Sequence, residues 1–285
     1  MLIHLFDTLQ EQFERHGTRK HIGTGLVVVF VATLVLVEMG RQGWLPFPMP
    51  TSHYYAIDIA FSFLLMVEVV ELVFGLVRSV ANALGKQIEI MSLILLRSSF
   101  KELMALPEPI TWDPENLAPI LHIISDAVGA LLVFVVVGFY YRAQRHRRIT
   151  RNAEDLARFV RAKKIIALLL LTIFTGIAIY EVWAWATGRR APAFFPALYT
   201  VLIFADVLIV LISLRYASRY DIVFRNSAFA VTTILIRIAL TAPPFYNAGL
   251  GLAAAGFALG LTLSYNRFAG AIVQAERVEQ RTDGD

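Results

Sequence analysis

The chain has 285 residues, 57% hydrophobic and only 17% charged, with mean hydropathy +0.62, a net charge of +4 and no cysteine. A water-soluble domain has about a quarter of its residues charged, so this composition excludes an ordinary soluble fold. The missing cysteine excludes disulfides, thiolate catalysis and Cys-ligated metals. The positive charge does not mark a nucleic-acid binder, because the basic residues sit between apolar runs, where membrane topology requires them.

Leu2, Phe6, Leu9 and Phe13 share one helical face, which predicts an amphipathic helix within residues 1–21. It either lies on the membrane surface or caps the neighbouring loops as a soluble helix. Asp7, Glu11 and Glu14 precede any long apolar stretch, the wrong order for a signal peptide.

Apolar runs then predict spans at 22–40, 55–77, 87–105 and 117–140. A basic linker follows at 142–162. Four more spans are predicted at 163–186, 195–215, 226–242 and 246–265, before a polar tail at 269–285. The third and seventh spans are short and interrupted by arginine. This is an all-α integral membrane fold of eight transmembrane helices plus an N-terminal amphipathic helix. Arg15, Arg19, Lys20, Arg78, Lys86, Arg215, Arg219, Arg225, Arg267 and the linker fall on one side, which the positive-inside rule makes cytoplasmic, with both termini. Only Arg189 and Arg190 dissent.

The two halves read as copies. Glu38 aligns with Glu181, Glu68 with Asp206 and Arg97 with Arg237, at offsets of 143, 138 and 140. Four spans per copy is an even number. The copies, 22–141 and 163–268, therefore face the same way, as two parallel repeats about an axis along the membrane normal. Glu68 lies nine residues before Val77 and Arg97 ten after Gln87, which puts both ~14–15 Å from the cytoplasmic end. An unpaired charge at that depth costs several kcal/mol, so structural ion pairs are expected between Glu68 and Arg97 and between Asp206 and Arg237.

The first copy has surplus acid. Glu71 shares a face with Glu68, and span four adds His122 and Asp126, one helical turn apart. Such residues are either buried and neutralised or form a proton or cation path, with His122 able to pass protons to Asp126. In span eight, Gly256 and Gly260 form a small-residue face suited to helix packing or self-association.

Residues 54–142 resemble the phosphate-starvation-inducible PsiE family, small bacterial four-span inner-membrane proteins. The similarity rests on Tyr55, Glu68, Arg78, Arg97, an Asp/Pro-containing outer loop and an arginine-rich exit from span four. Residues 195–268 look like a second, worn copy, with Asp206, Arg215 and Arg237 in matching places. The resemblance implies a bacterial inner-membrane address and a stress-response setting. It supplies no catalytic residues.

No phosphate-binding glycine loop, HExxH or Ser/His/Asp set is present, and a bis-histidine haem would need a second intramembrane histidine. One arginine per copy is too few for a voltage sensor. The sequence therefore assigns no enzyme activity, cofactor or metal. Two functions stay open. One is a non-conducting scaffold or regulator whose Arg142, Arg145, Arg147, Arg148 and Arg151 dock anionic lipid or a partner protein. The other is a proton or small-cation pathway through Glu71, Asp126 and His122.

Overall fold

The computed structural model describes residues 2–44, 50–77, 80–144, 153–187, 194–214 and 220–282. It contains nine α-helices and no strand among them: α1 (Leu2–Glu14), α2 (His16–Arg41), α3 (Tyr55–Gly75), α4 (Val80–Lys101), α5 (Leu117–Ala143), α6 (Ala153–Ala186), α7 (Phe194–Leu214), α8 (Tyr220–Thr241) and α9 (Tyr246–Thr282). Two boundaries have a clear local cause. α5 follows a 3-10 turn opened by Pro114, whose missing N–H costs nothing at a helix start. α8 stops before Pro243 and Pro244, and Phe245 at φ 69° reverses the chain into α9.

Among the described residues, six helices are long and apolar enough to cross a membrane: α2, α5, α6, α7, α8 and α9. The other two expected spans carry more charge. α3 holds Asp58, Glu68 and Glu71, and α4 holds Lys86, Glu89 and Arg97.

Several predicted boundaries move. α4 starts at Val80, seven residues before the expected Gln87, because its polar first turns are held by other helices rather than by water. Residues 16–21, expected in the N-terminal helix, open α2 instead. Residues 153–162 of the linker are the first three turns of α6, and the tail is helical to Thr282. Arg145, Arg147, Arg148 and Arg151 lie outside the described residues.

The apolar residues form two cores. One is built from α3, α6 and α7 with Ile90 and Ile94 of α4, and Phe6 of α1 is fully buried in it against Phe74. Lys164 donates to Asp7 at 2.6 Å and ties α1 to α6. The other core is built from α4, α5, α8 and α9. Each core thus mixes helices from both halves of the sequence. α2 stays peripheral on α3, with Val27, Val28, Val31 and Val35 more than half exposed, as a lipid-facing helix requires.

Candidate functional site

The two cores meet at a seam of buried polar side chains. Asp206 on α7 and Arg237 on α8 are 7% and 2% exposed, and Arg237 Nη2 lies 3.6 Å from Asp206 Oδ2. Side chains lean toward the N-terminus of their own helix, so the long guanidinium reaches back a turn from its Cα. Beside the pair is a cavity of ≈ 30 Å³ lined by Leu84, Gln87, Lys163, Asp206, Phe229 and Thr233, among others. One water needs ~10–15 Å³ of such room, and the site offers polar partners, so it is large enough to be wet. Gln87 Oε1, Asp206 Oδ2 and Arg237 Nε are buried without a hydrogen-bond partner. Lys163 is 2% exposed, with its ammonium 5.3 Å from the Phe159 ring centre. The seam therefore joins α4, α6, α7 and α8 through groups that only water or one another can satisfy.

Arg97 contradicts the expected pairing. Its Nη2 lies 3.7 Å from Asp58 Oδ1 and donates to Ser62 Oγ at 2.8 Å, and its guanidinium sits 5.3 Å from the Phe195 ring centre. Glu68 makes no ion pair among the described residues and senses Arg97 and Lys86 only at longer range. The cause is register. Asp58 is seventeen residues before the end of α3 and Arg97 seventeen after the start of α4, so antiparallel helices bring these two to equal height.

The surplus acids are held. Asp126 is 1% exposed, and its Oδ1 accepts from Asn247 Nδ2 on α9 at 2.9 Å. Glu71 Oε1 lies 3.4 Å from Lys86 Nζ, which also meets Glu89 Oε2 at 3.1 Å. His122 Nδ1 is 3.0 Å from Glu102 Oε2, so its polar partner is Glu102 and not Asp126.

A third cluster closes the end of the bundle where α2 finishes and α3 begins. The ring of His53 is 3.2 Å from Glu38 and 2.8 Å from Glu108, and its backbone N–H donates to Glu108 Oε2 at 3.1 Å. Those hydrogen bonds hold the Glu108 carboxyl below the usual carboxylate range. No group of His, Cys, Asp and Glu among the described residues has the arrangement of a metal site.

Close helix approach uses glycines other than the expected pair. A Cβ on Gly129 would lie 2.5 Å from the Cβ of Ala248, and one on Gly251 would collide with Met91. Gly256 and Gly260 have open space beside them. The sequence reading gave no site role to Asp58, Lys86, Gln87, Lys163 and Asn247. Lys163 had a signal: Phe159, Lys163, Ile166 and Leu170 recur at helical spacing on one buried face.

Comparison with known proteins finds no matching family model, no matching characterised protein and no matching solved structure.

Proposed function

We propose that this polytopic membrane protein is a non-conducting scaffold or regulator of the bacterial inner membrane, related to the PsiE family. Its eight spans are arranged as two parallel four-helix repeats with both termini cytoplasmic. The central position of α4, α5, α8 and α9, the third and fourth spans of each repeat, supports a two-fold relation along the membrane normal. The positive segment between α5 and α6 is its contact with anionic lipid or a partner protein.

One observation carries the choice of scaffold over pathway: Asp126 is buried and hydrogen-bonded to Asn247. A relay needs its acid in contact with a water-filled path, and a carboxyl fixed by a neighbouring amide is a packing device instead.

Proteoliposomes loaded with a pH-sensitive dye test this. Under an imposed pH or potassium gradient they should leak no faster than empty vesicles. A flux abolished by Asp126→Asn or Glu71→Gln would replace the scaffold with the pathway. Replacing Arg145, Arg147, Arg148 and Arg151 with Gln should separately reduce retention of anionic lipid.

A further inference from the structure

A groove of ≈ 600 Å³ runs between α4 and α5, away from the polar seam. Its walls are Leu93, Phe134, Val135 and Phe139, each between 46% and 64% exposed. Its polar lining is gathered at one end, in Glu89, Ser92, Tyr141 and Arg142. The two helices run antiparallel: Ser99 Oγ donates to the carbonyl of Ile123 near one end, and Gln144 Nε2 donates to Asn82 Oδ1 at the other. Side chains lean toward the N-terminus of their own helix. Glu89 therefore leans toward the start of α4, and Arg142 leans inward from the finish of α5, so opposite charges converge on the mouth of an apolar slot.

Neither charge is fully matched by the protein. Lys86 divides its ammonium between Glu89 Oε2 and Glu71, and the Tyr141 hydroxyl also donates to the Glu89 carboxylate. A carboxylate has about four lone-pair sites, so acceptor capacity remains. Arg142 has no carboxylate partner among the described residues.

We propose that this groove binds one glycerophospholipid whose headgroup carries both a phosphate and a primary ammonium. An acyl chain lies along Leu93, Phe134, Val135 and Phe139, Arg142 takes the phosphate, and Glu89 takes the ammonium. The charge pattern selects this class. A headgroup with phosphate alone would set its anion beside Glu89, and a quaternary ammonium has no N–H to donate to the carboxylate. Ordinary annular lipid would fill the apolar walls without regard to headgroup. The site shares Arg142 with the basic segment invoked for the scaffold, but its headgroup preference is read through Glu89, which that segment does not use, so either can fail without the other.

Native mass spectrometry of the purified full chain tests this, using micelles with equal amounts of phosphatidylethanolamine, phosphatidylcholine and phosphatidylglycerol of identical acyl chains. One phosphatidylethanolamine should be retained preferentially. Glu89→Gln should reduce that preference by roughly ten- to a hundredfold, the range of a lost charge-assisted hydrogen bond. Gly138→Leu should abolish it by filling the groove, and its Cβ meets no heavy atom within 4 Å, so the helices need not move. Equal retention of the three lipids by the parent protein, preference for phosphatidylglycerol, or a preference left undiminished by Glu89→Gln would each overturn the proposal.

Discussion

Arg97 and Asp58 stand 3.7 Å apart at matching heights on antiparallel α3 and α4, while Glu68, the expected partner, lies ten residues further along α3. Both members of the pair are under one-fifth exposed, so neither charge is well solvated. Asp58→Asn should therefore destabilise the protein by about 1–3 kcal/mol. Glu68→Gln should cost less, because no ion pair is lost. Thermal melting in detergent separates them, and equal losses would contradict the register.

What could be read without coordinates was the apolar period and the presence of rare buried charge. Those features mark helices and show that polar groups must be satisfied, but they do not say where an amphipathic helix begins. The stretch around Lys86, Gln87 and Glu89 reads as an interface when water is assumed to solvate it. It is helical because Glu71 takes Lys86 and the protein interior takes Gln87. Seven residues of misplaced start in α4, with an α3 end that comes two residues early, move the partner of Arg97 from Glu68 to Asp58, nearly three turns away. Asp206 and Arg237 do meet, since a guanidinium spans more than a turn. Gly129 and Gly251 escaped notice because a single glycine in an apolar run carries no spacing signal. Only the approach of α9 shows the need for it.

Gly129 sets the separation of α5 and α9. A Cβ there overlaps Ala248 Cβ, and that atom has no flexible end to swing away. Gly129→Val should cost about 1–3 kcal/mol through overpacking. Gly256→Val, beside open space, should cost far less. The same melting assay checks both, and comparable losses would mean that the α5–α9 contact is looser than described.

The Glu108 carboxyl has a folded-state pKa lowered from 4.5, chiefly by the side-chain hydrogen bond from His53 and then by the His53 backbone N–H. A lowered carboxyl pKa stabilises the fold fully above the unfolded value and loses that effect as pH falls through the folded one. Melting temperature should therefore drop on acidification below about pH 4.5 in part through this residue. Glu108→Gln should lower the plateau near neutral pH and flatten the acid limb. An unchanged acid limb would show that the cluster with Arg41, Glu38 and His53 does not report on folding.

Asp206 and Arg237 allow a sharper test, because a buried pair and its isolated members behave in opposite ways. The pair sits within 3.6 Å at the seam, yet Asp206 Oδ2 and Arg237 Nε lack hydrogen-bond partners. Its attraction therefore offsets desolvation only in part. Asp206→Leu alone leaves the guanidinium buried without its anion, and Arg237→Leu alone leaves the carboxylate without its cation. Each should cost about 3–5 kcal/mol. The double variant removes both charges and fills the seam with hydrocarbon, so its stability should return to within about 1 kcal/mol of the parent, or exceed it. Additive losses in the double variant would mean that each residue is held by separate partners around the Gln87 and Lys163 cavity rather than by the other.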